Sequence, residues 1–287
     1  MIINRLIILS LLGFVGLLAC KDPAAGMQEA KGSDSMQFDQ DSPDSTFVIK
    51  SCYENFFNGL PHFRDSGSAV LILGDGTRTS LTQFFKDEFM SPVSEYGIKD
   101  LDRDGVNELI VFNNTGGAHC CDEYHIFHQR REDEFELKAH IMGGQTCIDP
   151  STNAFNFSFT ENLGYFFACY ACEFEDSTGA FKPMRDISLV YSNGALEVTP
   201  YDSIAEKQNL FNLEVLQNHG FEDLEGMMDN GWRKEFAMNF AVWHFNHGKN
   251  WNNTRQLFRK YYNFSDSLKV WQEFFTTLTE SARENTF

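Results

Sequence analysis

Basic residues are scarce in this chain. Only 23 lysines and arginines stand against 41 aspartates and glutamates among 287 residues, a formal net charge of −18. Such a surface repels phosphate backbones, which excludes nucleic acid as a partner and favours cations. Also missing are a Gly-x-Ser-x-Gly elbow, a His-Glu-x-x-His helix, a phosphate-cradling P-loop and a dinucleotide fingerprint. No catalytic residue is therefore nominated, and the balance leans against an enzyme. The hydrophobic fraction of 42% and charged fraction of 22% exclude both wholesale disorder and a polytopic membrane protein. What the chain has in excess is phenylalanine, 29 residues, so an aromatic core is expected.

Residues 1–20 carry one base, Arg5, then an apolar run from Leu6 to Leu18 before Ala19 and Cys20. This is the layout of a secretory signal, too short and too abruptly followed by Lys21 and Asp22 to favour a spanning helix. Leu17-Leu18-Ala19-Cys20 resembles the bacterial lipobox. The resemblance implies a signal peptide over 1–20 ending at a lipidated Cys20, stable membrane anchoring through its acyl chains, and a place in the bacterial cell envelope. Lys21 rather than Asp follows the cysteine, which by resemblance to Gram-negative sorting signals implies the outer membrane. Residues 21–45, rich in Ser, Asp, Gln, Gly and Ala, cannot offset their ordering entropy and are expected to form a flexible acidic tether.

Beyond the tether the patterns predict an α+β chain: a mainly antiparallel β domain over 46–203, then a small C-terminal helical bundle over 204–287. Strands are expected at Phe47–Ile49, Ala69–Leu73, Glu108–Phe112, Tyr124–His128 and Phe135–Ile141. Phe155, Phe157 and Phe159 alternate with polar residues, so their rings share one sheet face. Leu189–Ser192 and Ala195–Val198 flank Asn193-Gly194, a pair suited to the positive φ angles of a type I′ hairpin turn. A helix is expected over Leu81–Phe89. Later, Phe236, Phe240, Trp243 and His247 form one helical stripe and Met238, Val242 and Phe245 another, which predicts a buried central helix capped by Asp229 or Asn230. Trp251–Tyr262 reads as the next helix. The last has Leu268, Trp271, Phe275, Leu278 and Ala282 on its expected inner face. Acidity follows the same division, with 30 acids to 13 bases over 21–203 but 11 to 9 over 204–287.

The stretch Asp100-Leu101-Asp102-Arg103-Asp104-Gly105-Val106-Asn107-Glu108 places oxygens at positions one, three, five and nine, with the Val106 carbonyl at seven and a glycine for the sharp turn. A hard cation wanting six to eight oxygens suits this set, which makes Asp100, Asp102, Asp104, Val106 and Glu108 calcium ligands by expectation. An EF-hand would need a glutamate at position twelve, where Val111 stands. The residues resemble instead the calcium loops of FG-GAP and VCBS repeats, which bridge two strands of β-propellers. Only one such loop occurs, so the resemblance covers Asp100 to Phe112 and does not imply a propeller. The expected role is structural: calcium converts a self-repelling cluster into a cross-link.

Thr115-Gly116-Gly117-Ala118-His119-Cys120-Cys121 follows, a segment resembling one in uncharacterised bacterial secreted proteins. Setting Cys20 aside leaves Cys52, Cys120, Cys121, Cys147, Cys169 and Cys172, an even number that suits three disulfides in an oxidising compartment. Cys169 and Cys172 fall in Tyr165–Phe174, which reads as a strand; three residues along a strand span about 10 Å, so they are expected to pair elsewhere unless a turn intervenes. The alternatives are zinc or copper at His119, Cys120, Cys121, His125 and Cys147, or thiol redox at Cys169 and Cys172.

His119, Trp243, His244, His247 and Trp251 complete the candidates as a binding surface, although histidine on an aromatic stripe is commonly a core residue. Taken together, the residues suggest a lipid-anchored, calcium-stabilised binding or interaction module meeting a protein or glycan partner. An extracytoplasmic hydrolase or a metal- or thiol-handling protein is the alternative.

Overall fold

The computed structural model describes residues 56–61, 69–88, 94–114, 122–143, 146–220, 223–224 and 228–287. The signal segment with Cys20, the tether, the strand expected at Phe47–Ile49, and Cys52, His119, Cys120 and Cys121 lie outside them.

Six strands form the larger sheet in the order β2-β1-β6-β5-β4-β3. They are β1 (Val70–Ile72), β2 (Arg78–Ser80), β3 (Ser94–Lys99), β4 (Glu108–Asn114), β5 (Asp122–Arg131) and β6 (Glu134–Gly143). All neighbours are antiparallel except β1 and β6, which run parallel. A second, fully antiparallel sheet has the order β10-β9-β8-β7 and comprises β7 (Cys147–Ile148), β8 (Phe155–Ser158), β9 (Asp186–Ser192) and β10 (Ala195–Thr199). Asn193 and Gly194 turn at φ of 51° and 82°, as a type I′ hairpin requires.

Burial follows side-chain alternation. In β4, Leu109 and Val111 face helix α1 (Leu81–Glu88) with Leu71, Phe84, Phe127 and Phe135, while Ile110 and Phe112 face the second sheet with Tyr124, Ile126, Phe155 and Phe157. A strand buried on both faces has no polar side to present, which explains the unbroken Leu-Ile-Val-Phe run. Phe155, Phe157 and Phe159 are all fully buried, as their spacing predicts.

Helices occupy the C-terminal portion: α3 (Ser203–His219), α4 (Trp232–Asn246), α5 (Trp251–Tyr261) and α6 (Ser267–Glu284), preceded by the short α2 (Thr160–Leu163). Asp202 caps α3 through the Ile204 and Ala205 amides, and Asn250 caps α5 through those of Asn252 and Asn253. Helices dominate from Ser203 on, interrupted by a short antiparallel pair at Asp223–Leu224 and Met228–Asp229, and one hydrophobic cluster continues from the larger sheets into Leu213, Phe236, Phe240, Phe258 and Phe274. Helix α4 is buried nearly all round.

Helix α6 turns a different face inward from the one expected. Val270, Phe274, Leu278 and Ser281 are buried, whereas Leu268 is 63% and Phe275 39% exposed. Phe274 meets Phe240, and Phe275 instead flanks Trp251. Among the described residues no helix is long and apolar enough to cross a membrane.

Candidate functional site

Residues 100–107 connect β3 to β4, whose ends pair at Lys99 and Glu108. The turn is closed by its own carboxylates. Asp100 accepts from the amides of Asp104 (3.1 Å) and Gly105 (3.0 Å), and Asp104 accepts from the Val106 amide (2.7 Å). Gly105, at φ +90°, and Arg103, at φ +62°, supply the left-handed backbone that the tight path needs. Glu108 is fully buried, with Oε2 accepting from the Leu101 amide (2.9 Å) and Oε1 lying 2.9 Å from His128 Nδ1.

This folding brings one carboxylate oxygen each from Asp100, Asp102 and Glu108 within 4.8 Å of one another. Asp104 is not in that group; its Oδ1 accepts from the Val106 amide. Asp102 points across to the second sheet, where its Oδ2 accepts from the Asn193 amide in the β9–β10 turn (3.0 Å). Asn153, from the loop between β7 and β8, donates to the Leu101 carbonyl (2.9 Å). The acidic turn thus bridges the two sheets.

Two buried oxygens there have no hydrogen-bond partner: Oδ1 of Asp102 and the hydroxyl of Tyr191, a residue only 3% exposed. Burial, followed by the charges of Glu108, Asp102 and Asp104, pushes the Tyr191 phenol above its ordinary range. Burial likewise pushes Glu108 up, against the Leu101 amide and His128, with Asp102 adding to the rise. Buried oxygens left unsatisfied carry a desolvation cost, and a bound divalent cation relieves it while cancelling the mutual repulsion. The donors are hard oxygens, the chemistry calcium takes. Lys99 is engaged elsewhere, on the Pro150 carbonyl and above the Phe56 ring.

The cysteines depart from expectation in one respect. Cys169 and Cys172 are disulfide-bonded to each other, with α-carbons 5.0 Å apart. Residues 165–174 form turns rather than a regular strand: the Cys172 amide bonds the Cys169 carbonyl and Phe167 sits at φ 52°. With no strand there, the two α-carbons are not held a strand's rise apart. This turn packs on the entry to α4, where a Cβ on Gly231 (φ +92°) would lie 2.5 Å from the Cys172 carbonyl oxygen. Cys147 is also disulfide-bonded, which removes its thiolate from the set proposed for zinc or copper.

The aromatic candidates separate into two settings. His244 is buried and its Nδ1 lies 2.7 Å from Thr254 Oγ1. Because that hydroxyl donates to the Asn250 carbonyl, the imidazole must donate from Nδ1. Burial, then Lys249, pushes this histidine down to about 4, so it is a neutral strut between α4 and α5. Trp251 packs beside it with Phe275 and Trp271. Trp243 and His247, stacked at 4.1 Å, line an open groove of about 410 Å³ with Asn253, Gln256, Leu257 and Lys260. His247 donates from Nδ1 to the Trp243 carbonyl, and its Nε2 lies 3.3 Å from Glu206. His244 and His247 therefore do not share a ligand.

Two charged assemblies escaped the sequence reading. At the start of α4, Asp229, Arg233, Lys234 and Glu235 are all buried, with Arg233 bonded to Asp229 and Arg185 to Glu235. On the larger sheet, His125 gathers with Glu123 and His140. The strands expected at Tyr124–His128 and Phe135–Ile141 carry His125 and His140; the register that sets these two residues opposite each other was not visible in the sequence. No protein family, curated protein or solved structure matches this chain.

Proposed function

We propose that this protein is a lipid-anchored binding module of the bacterial cell envelope, braced by calcium and presenting the Trp243–His247 groove to a glycan. The observation that carries the reading is the convergence of Asp100, Asp102 and Glu108 beside the unpartnered Tyr191 hydroxyl, at the place where the two sheets are joined. Calcium there holds the scaffold and does no chemistry. Anchoring rests on the lipobox-like Leu17-Leu18-Ala19-Cys20 and the polar stretch after it.

The groove suits a sugar because an indole wall stands next to the amides of Asn253 and Gln256, which both donate and accept, while Lys260 would favour an acidic substituent. Titrating the purified protein with a panel of neutral and acidic oligosaccharides, and following tryptophan fluorescence, is expected to give saturable binding. Trp243→Ala is expected to weaken it by roughly tenfold or more, since a central aromatic anchor typically contributes above 1 kcal/mol. Equal affinity in wild type and Trp243→Ala would move the ligand elsewhere. A flat response to every sugar would sink the glycan assignment.

A further inference from the structure

A separate group of side chains has the chemistry of a transition-metal site. Glu123 and His125 stand two apart on β5 and so share a sheet face; His140 is the direct antiparallel partner of His125 on β6. The two imidazole centres lie 4.5 Å apart. Glu123 Oε1 lies 2.8 Å from His140 Nε2 and 3.6 Å from His125 Nε2, and one ligand atom from each residue falls within 4.8 Å of the others. A tetrahedral ion with bonds of 2.0 to 2.1 Å holds its ligand atoms about 3.3 Å apart. The observed separations bracket that value, so sub-ångström side-chain adjustment closes the site.

The supports are rigid. Asn113, buried on β4 opposite Glu123, hydrogen-bonds its carboxylate. The rings of Phe84 and Phe127 pack on His125. His140 is fixed at its backbone, whose amide donates to Thr286 Oγ1 and whose carbonyl accepts from the Thr286 amide. The side chains are 11%, 17% and 21% exposed for His125, Glu123 and His140, which leaves an ion a way in and a coordination position for water.

We infer that Glu123, His125 and His140 form a second metal site, selective for zinc-class ions rather than calcium. Two imidazole nitrogens and one carboxylate suit borderline first-row ions, whereas calcium asks for six or more oxygens. The site is independent of the acidic turn: neither shares a residue with the other.

The test uses the purified protein stripped with chelator. Titration with Zn²⁺ against a chromophoric competitor is expected to show one strong equivalent that millimolar Ca²⁺ does not displace. Co²⁺ in place of Zn²⁺ is expected to give the visible absorption of a four-coordinate nitrogen–oxygen site. His140→Gln should weaken Zn²⁺ binding by roughly a hundredfold, and Asn113→Ala by about tenfold, since outer-shell partners typically contribute 10- to 100-fold. Asp102→Asn should leave the zinc affinity unchanged, which separates failure here from failure of the calcium turn. Absence of both the zinc equivalent and the cobalt bands in wild type overturns the inference without reference to any variant. Zinc affinity unaltered by His140→Gln in a protein of unchanged circular dichroism overturns it as well.

Discussion

Replacing Phe240 by alanine lowers the unfolding free energy by about 3–5 kcal/mol, the range for deleting a large ring from a packed core. Phe240 is fully buried and its ring meets Phe236 on its own helix, Phe258 on α5 and Phe274 on α6. The cavity would open where three helices converge, so collapse around it is hindered and the upper part of the range is expected. For a chain of this size that corresponds to a fall in Tm on the order of 10 °C. Thermal and urea unfolding followed by circular dichroism measures it. Phe275→Ala, which removes a ring 39% exposed, should have a much smaller effect, and equal effects for the two would mean that α6 turns its other face inward.

Arg233→Met is expected to be comparably severe and to depend on pH. Arg233 donates from Nε to Asp229 (2.9 Å) and from Nη1 to Asp266 (3.2 Å), and Asp229 is fully buried. Removing one partner of a buried pair leaves the other charge unanswered, which costs about 3–5 kcal/mol. Burial already pushes the Asp229 carboxyl above its ordinary range, opposed by the hydrogen bonds from Arg233 and Gly231. Without Arg233 that opposition weakens and the folded-state value rises further. A group with a raised folded-state pKa contributes stability at low pH and loses it as pH rises through that value. The deficit of the variant relative to wild type should therefore be larger at pH 8 than at pH 4. A deficit that is equal at both, or smaller than about 1 kcal/mol, would remove Asp229 as the cause.

Local signals in the sequence carried well where the local chain decides the outcome. Asn193-Gly194 turns as its residues demand, the phenylalanines of β8 share a buried face, and the two stripes of α4 make it a central helix. Partner choice is a different matter. Nothing in the apolar run Val70 to Ile72 says that β1 lies parallel to β6, and nothing near His125 names His140, because strand pairing is settled by tertiary packing. Along α6 the stripe through Leu268 and Phe275 was expected inward, but Phe274 packs on Phe240 and turns Val270 in instead, with Leu278 common to the expected and the buried face. Cys169 and Cys172 pair because the backbone between them turns, the Cys172 amide bonding the Cys169 carbonyl, a conformation that no side chain in Tyr165–Phe174 advertises. Arg233, Lys234 and Glu235 are charged yet buried, and each has a partner, Asp229, the Tyr170 carbonyl and Arg185 respectively.

The acidic turn was the most legible part of the candidate site: of the carboxylates its spacing nominated, Asp100, Asp102 and Glu108 converge, and Asp104 stands outside that group. What the sequence left out is the reach of the turn. Asn193 and Tyr191 approach from a hairpin some ninety residues further on, and they make the difference between a surface loop and a joint between sheets.

Thermal unfolding of the chelator-treated protein, with and without 10 mM Ca²⁺, addresses that joint directly. Single-loop extracellular sites bind at about 10⁻⁴ to 10⁻³ M, so 10 mM calcium should add about 1.4–2.7 kcal/mol and raise Tm by roughly 3–10 °C. Asp102→Asn, which keeps an acceptor for the Asn193 amide but removes the charge, should abolish the increment. A Tm that ignores both calcium and chelator in the wild-type protein would contradict the account.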